Sequence, residues 1–290
     1  MKRLAMVIAV LGMCSLSFGQ DKPAAQNPQN PPAGQAAGQS AAAPQGKRPP
    51  QAKTQPEFDA FNAARQLADA EAMEKAADDF ATKFPESELR VVLYKSVMLK
   101  YQQANNADKM LEVARKALTY DADDPESLLG VAQVLAERTK ETDLDKDQRL
   151  AEAKTDAGRA LATIDTDLPT SGYPPEQLET LKNFLRSEAY AILGTLAFNA
   201  KTWPDAETNL RKSIDVFPQQ PDTIVVFRLA VALDMQNKIP EALKYANQAV
   251  DLTKDRPDAG VGKAARAELD RLNKLNSGSA PGQNPAPPKN

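Results

Sequence analysis

Histidine is absent from all 290 residues, and cysteine occurs once, at Cys14. Histidine is the side chain that titrates near neutrality and serves most often as general acid or base, and histidine and cysteine supply most transition-metal ligands. Ser–His and Cys–His hydrolases and the usual zinc sites are therefore excluded, leaving carboxylate or Ser–Lys chemistry for an enzyme. Aromatic residues make up 6% of the chain, and runs of Val, Ile and Thr are scarce, so the branched and aromatic bulk of a sheet core is missing. No charge dominates either: 36 basic residues are interspersed among 39 acidic ones for a net charge of −3. That balance argues against nucleic acid or an anionic membrane surface as partner. Alanine and charge fill the gap, a composition that suits helices packed through small side chains.

The two ends differ from the middle. Met1-Lys2-Arg3 is a short positive start, an apolar stretch follows from Leu4 to Phe18, and Ser17 and Gly19 place small residues before Gln20. This is the layout of a bacterial signal peptide over 1–19, cut after Gly19. Retention as an N-terminal anchor is the rival reading, disfavoured because a span needs about 20 apolar residues. Cys14 follows Met13, where a lipidation signal wants a small residue, so a lipid anchor at that thiol is not expected. The chain is expected to be exported, periplasmic or secreted, with no membrane span once the leader is removed. Residues 20–54 carry Pro23, Pro28, Pro31, Pro32, Pro44, Pro49 and Pro50 among Gln, Ala and Gly. With little to bury, they are expected to form a disordered, extended linker. Residues 276–290, with Pro281, Pro285, Pro287 and Pro288, are expected to be a disordered tail.

Between these ends the sequence repeats. Tyr190-x-x-Leu193-Gly194 is followed by Ala206-x-x-x-Leu210 and then Pro218. One unit later come Val226, Leu229, Ala230 and Leu233, then Ala242, Ala246 and Ala249; one unit earlier come Tyr94, Val97, Met98 and Tyr101, then Met110, Ala114 and Ala117. Offsets of 0, 3, 4 and 7 share one helix face. Gly130, Gly194 and Ala230 leave room for a second helix, whose alanines form the matching surface, and Pro85 and Pro218 stop helices. One such hairpin cannot bury its face alone, so neighbours must stack.

The regularity breaks twice. Leu129-Gly130 opens a unit whose Ala153, Ala157 and Ala160 arrive late, the excess lying in Thr139–Arg149 as an enlarged turn or helix extension. A loop over 165–175 then precedes a long helix expected from Glu176 to about Ala200. The first unit is degenerate, with Phe58, Phe61, Phe80 and Phe84 where later units use alanine. A last helix, Gly260–Leu275, places Ala264, Ala267, Leu269, Leu272 and Leu275 on one side, as a cap would.

These spacings resemble the tetratricopeptide (TPR) repeat family, whose signature is aromatic-x₂-Leu-Gly, Ala-x₃-aromatic and Pro. The resemblance covers 55–275 and implies an all-α, right-handed superhelical solenoid of about five antiparallel hairpins plus a capping helix. The approximate units are 55–88, 89–122, 123–168 with the insertion, 176–220 and 221–256, with the cap at 260–275. Lys83-Phe84-Pro85-Glu86-Ser87 is also similar to repeat endings of bacterial envelope proteins, including outer-membrane assembly lipoproteins. The family implies a ligand groove lined by first helices: Lys95, Leu99 and Gln102 in one unit, Ala191, Thr195, Phe198 and Asn199 in another, and Ile224, Phe227, Arg228, Val231 and Met235 in the last. Of these, Lys95, Gln102, Phe198, Asn199, Phe227, Arg228 and Met235 are the candidate partner-binding residues. Leu99 stands where carboxylate-gripping relatives have Asn. Packing between repeats is the competing role for Phe198 and Phe227, and Trp203, ahead of Pro204, is expected to pack over its turn.

Asp143-x-Asp145-x-Asp147 has the look of a calcium loop, but Gln148 and Lys154 stand where Gly and Glu are required, and acidic residues ahead of a helix also stabilise its N-terminus. Lys95-Ser96 and Lys212-Ser213 point apart on their helices and form no dyad. No catalytic residue, metal or cofactor is expected. The expected function is an exported, non-catalytic scaffold or adaptor for a protein or peptide, with a self-associating structural subunit of an envelope complex as the alternative. The leader is checked by intact mass of the chain expressed in a Gram-negative host: a mature N-terminus at Gln20 is expected, and retention of Met1 would favour an anchor.

Overall fold

The computed structural model describes residues 46–169, 173–257 and 260–278. The expected leader with Cys14, residues 20–45 of the expected linker and residues 279–290 of the expected tail lie outside the described residues. Regular structure among the described residues is all helical: α1 (Gln55–Arg65), α2 (Ala70–Lys83), α3 (Leu89–Gln103), α4 (Ala107–Tyr120), α5 (Pro125–Arg138), α6 (Lys146–Asp167), α7 (Pro175–Asn199), α8 (Trp203–Val216), α9 (Thr223–Asp234), α10 (Ile239–Leu252) and α11 (Val261–Gly278). The last of these helices, α11, is a closing helix that packs on α9 and α10. None is long and apolar enough to cross a membrane.

The helices gather into two units, Met1–Val134 with Arg159–Lys182, and Leu135–Gly158 with Asn183–Asn290. In the first, α1 packs on α2 and α3, α2 on α3, and α3 on α4. In the second, α8 packs on α9, α9 on α10, and α11 on both α9 and α10. Helix starts follow local chemistry. Asp69 accepts from Ala72 N at 2.8 Å, Asn106 from Lys109 N at 3.2 Å, and Asp222 from Ile224 N at 2.6 Å. Each satisfies an amide that the first turn leaves without an intrahelical partner. α8 and α10 instead begin with proline in the first turn, where its missing N–H is no loss.

The repeat is visible in three dimensions as a fixed register. Met110, Ala114 and Ala117 on α4, Ala206, Leu210 and Ser213 on α8, and Ala242, Ala246 and Ala249 on α10 are all buried. Each triplet begins 16 residues after Tyr94, Tyr190 or Val226. A β-carbon added at Gly194 would lie 2.7 Å from Leu210 Cδ2 and 3.1 Å from the Leu210 backbone nitrogen; at Gly130 it would lie 2.6 Å from Met98 Sδ. Both glycines are therefore demanded by helix approach. Ala153, Ala157 and Ala160 of α6 are buried too; the excess residues of that unit form the 139–145 turn and the first turn of α6.

A second periodic feature was not anticipated. Asn105, Lys201 and Asn237 have φ of 56°, 57° and 60°, each 11 residues after Tyr94, Tyr190 or Val226. In all three turns the next residue's N–H reaches the carbonyl five back: Asn106 to Tyr101, Thr202 to Ala197, Lys238 to Leu233. This left-handed cap reverses the chain and satisfies a terminal carbonyl. Asparagine tolerates it and lysine does so at a cost.

Several expectations are adjusted at the edges. The long helix begins at Pro175 and ends at Asn199. The closing helix continues to Gly278, three residues into the expected tail, where Ser277 Oγ donates to Asn273 O at 2.6 Å. Asp143 accepts from Lys140 N at 2.9 Å, a bond that holds the turn ahead of α6. Residues 46–54, inside the expected linker, are ordered against the first unit: Lys47 N donates to Thr166 O at 3.0 Å and Lys53 Nζ to Glu86 O at 2.8 Å. Two of their cations pair with carboxylates, Lys47 with Asp121 and Arg48 with Glu88.

Two substitutions test the register. Gly194→Ala must push Leu210 and its backbone, an overpacking cost of about 1–3 kcal/mol, whereas Gly130→Ala displaces only the flexible Met98 and costs less. Lys201→Gly relieves about 1–2 kcal/mol of left-handed strain. Melting curves followed by circular dichroism rank these chains as Lys201→Gly, wild type, Gly130→Ala, Gly194→Ala; a Gly194→Ala chain as stable as wild type would contradict the close approach.

Candidate partner-binding surface

The candidate groove residues fall in different units, and each set has its own surroundings. In the first unit, α3 carries Lys95, Leu99 and Gln102. Lys95 Nζ is 2.9 Å from Asp124 Oδ2 and also pairs with Glu126. Asp124 caps α5 through its other oxygen, accepting from Ser127 N at 2.8 Å. Burial alone would favour the neutral amine, but the two carboxylates outweigh it and hold the ammonium charged well above the usual lysine range. The residue offered as one arm of a carboxylate clamp thus already clamps two carboxylates of its own chain. Gln102 is buried, and both of its amide atoms are without a hydrogen-bond partner. Neither residue presents a free group to a ligand.

A neighbouring polar cluster explains why α3 is held so firmly. Glu74 of α2 is buried and accepts from Tyr101 Oη at 2.6 Å and from Lys116 Nζ at 2.9 Å. Burial works to raise the Glu74 pKa, but the Tyr101 hydroxyl and the two ammoniums of Lys116 and Lys109 bring it below the ordinary glutamate value.

The second unit is different. On α7, Thr195 is buried, Phe198 is partly covered and Asn199 is exposed. On α9, Phe227, Arg228 and Val231 are partly covered, while Ile224 is 48% and Met235 53% exposed. Residues 224, 227, 228, 231 and 235 follow helical spacing and form one face. Phe198 and Phe227 pack against the unit's core cluster, so both serve packing while keeping part of their surface open. Trp203 meets Phe198 edge-on with ring centroids 5.5 Å apart, covering the turn as expected.

Arg228 joins the two helices. Its Nη1 donates to Thr195 Oγ1 at 2.7 Å, and its guanidinium carbon lies 5.9 Å from the Phe198 ring centroid. It forms no ion pair with the described residues, in contrast to Arg211, which meets Glu207 at 3.0 Å and also pairs with Glu241. Withdrawal from water pulls the Arg228 pKa down, with Glu137 and Asp222 opposing at longer range. A guanidinium has five N–H donors in a planar fork, so most of its donating capacity is unspent. Hydrogen bonds between a guanidinium and a carboxylate are among the strongest available. The face therefore offers apolar contact flanking one underused cation.

The signature residues are structural where the structure describes them. Tyr94, Ala117, Leu129, Gly130, Gly194, Ala206, Leu229, Ala230, Ala242 and Ala249 are buried. Tyr190 and Leu193 are only partly covered, and the Lys212 ammonium lies 5.3 Å from the Tyr190 ring centroid. Pro218 is exposed just beyond the end of α8. No group of three or more acidic or Cys residues arranged to hold a metal occurs among the described residues.

No family model matches the chain, and no curated protein matches it. One solved structure similar to it is the assembly chaperone of RpL4 (Acl4), residues 1–338, at 14% identity and a TM-score of 0.37, covering 76% of this chain and 98% of that one. A TM-score of 0.37 is too low for that likeness to bear on the fold or the role of this chain.

Sequence reading missed the Lys95 partnership, although Asp123-Asp124-Pro125-Glu126 ahead of α5 was a visible acidic cluster. Lys95→Met leaves two carboxylates facing each other without their cation, costing about 1–3 kcal/mol. The raised lysine pKa means that this stabilisation is complete below the ordinary lysine value and lost only as pH climbs through the raised one. The expected result is a lower melting midpoint for Lys95→Met at pH 7, with the gap to wild type narrowing in strong alkali; equal midpoints at pH 7 would contradict the pairing.

Proposed function

We propose that the chain is an exported, non-catalytic adaptor of tetratricopeptide type, which seats a segment of a protein partner on the α7–α9 face of the second unit. The observation that carries this reading is Arg228: a charged group drawn out of water, hydrogen-bonded to Thr195 and in no ion pair with the described residues, with Glu137 and Asp222 acting only at longer range. A charge in that position is costly unless a partner completes it. A helical or extended peptide would supply a carboxylate to Arg228 and apolar side chains to Ile224, Val231 and Met235. Charge complementarity of this kind fixes register and discriminates among partners, while the apolar contacts supply affinity. Export rests on the leader-like start of the sequence, and the absence of histidine supports a role in binding over chemistry.

The test places a photoreactive amino acid at Met235 and irradiates intact cells. A heterologous protein cross-linked in the wild-type background is expected to lose most of its yield on Arg228→Gln, since a hydrogen bond to a charged group is worth about 1.5–3 kcal/mol. Glutamine keeps a donor for Thr195, and unchanged melting confirms that the fold survives. Exclusive recovery of self-links would favour the self-associating envelope subunit; a heterologous link indifferent to Arg228 would remove the anionic contact.

A further inference from the structure

The first unit carries a second surface, unrelated to the α7–α9 face, and the chain itself shows what fits it. Glu88 directly precedes α3, Asp121 directly follows α4, and Asp167 ends α6, so three carboxylates sit at junctions of successive hairpins. Residues 46–54 lie along this row. Lys47 Nζ is 2.5 Å from Asp121 Oδ2 and 3.7 Å from Asp167 Oδ1, Arg48 pairs with Glu88, and Lys53 Nζ donates to Glu86 O at 2.8 Å. Lys53 lies six residue steps beyond Lys47. In the extended form that Pro49-Pro50 imposes, they reach about 19 Å at 3.1 Å per residue, about two helix-packing distances.

The surface is more than an acidic cluster. Tyr120, next to Asp121, is 40% exposed and stacks on Tyr94 at 5.5 Å, with the Arg90 guanidinium carbon 4.4 Å from its ring centroid. The part-exposed Tyr120 ring, next in sequence to the Asp121 carboxylate, adds an aromatic edge of the kind on which proline-containing segments pack. The resident segment is held by half-exposed ion pairs and few backbone hydrogen bonds, and such pairs are individually weak in water. Removing the segment leaves Glu88, Asp121 and Asp167 without the cations they now hold. We propose that this row is a docking track for an extended, basic, proline-containing segment of a partner protein, and that residues 46–54 are its exchangeable resident ligand.

The probe is a fluorescent peptide with the sequence of residues 46–55, titrated by anisotropy into three full-length chains: wild type, Lys47→Ala/Arg48→Ala, and that double variant carrying Asp121→Asn/Asp167→Asn as well. Tethering gives the resident segment a high effective concentration. Loosening it is therefore expected to tighten peptide binding by about tenfold, and raising salt to about 0.5 M should abolish the gain. Introducing neutral amides at positions 121 and 167 returns affinity to the wild-type level or below. Helical content by circular dichroism confirms that all three chains are folded. Equal affinity of wild type and the loosened chain would overturn the proposal, as would tight binding that ignores the Asn substitutions.

Discussion

The close approach of the second helix of a hairpin to the first is the constraint on which the structure depends. At Gly194 of α7 there is no room for a β-carbon beside Leu210 of α8, while Gly130 of α5 is crowded by Met98 of α3 and Ala114 of α4, in the pair of helices before it. An alanine-rich second helix follows from that approach, since Ala206, Ala242, Ala246 and Ala249 are buried where larger groups would hold the helices apart. The left-handed turn at Asn105, Lys201 and Asn237 follows as well. Bringing the second helix back at short range requires a tight reversal that also caps the first. With interiors built on small side chains, partly covered aromatics such as Phe198 and Phe227 are left on helix faces, where they are available to a partner.

Charge arranges itself around this frame in two ways. In the first unit, cations are consumed internally: Lys95 by Asp124 and Glu126, and Lys116 by Glu74 and Asp78. Those networks tie α3 to the start of α5 and α4 to α2, linking helices two apart in the chain. In the second unit Arg211, Lys238 and Arg271 are likewise paired, whereas Arg228 meets Thr195 and the Phe198 ring and no carboxylate among the described residues. Coulomb attraction is stronger where water is excluded, so one unspent guanidinium among apolar side chains has more reach than several exposed lysines.

The helices, their order and much of the core were legible in the sequence because they are periodic. Offsets of 3, 4, 7 and 16 from Tyr94 and Val226, and of 4 and 16 from Tyr190, locate buried residues in chain order, and Pro204 and Pro218 mark helix ends. The turn residues were equally periodic, at offset 11, but their identities differ (Asn, Lys, Asn), and only the backbone angle reveals their common role. The site was less legible. Lys95 has the position of a groove residue, yet its partners lie 29 and 31 residues away, a separation that helical spacing does not encode. Residues 46–54 belong by composition to the linker. What distinguishes them is that Lys47, Arg48 and Lys53 are the basic residues of 20–54 apart from Lys22, a hint that the flanking prolines obscured.

The central claim is that the α7–α9 face is covered by a partner in the cell. Oxidative footprinting of methionine tests it directly, with buried Met73, Met98 and Met110 as internal standards. In the purified chain Met235 should oxidise far faster than those three, since thioether oxidation follows exposure. In intact cells the account predicts that Met235 becomes several-fold protected relative to the purified chain; oxidation of Met235 at the same rate in both settings would contradict it.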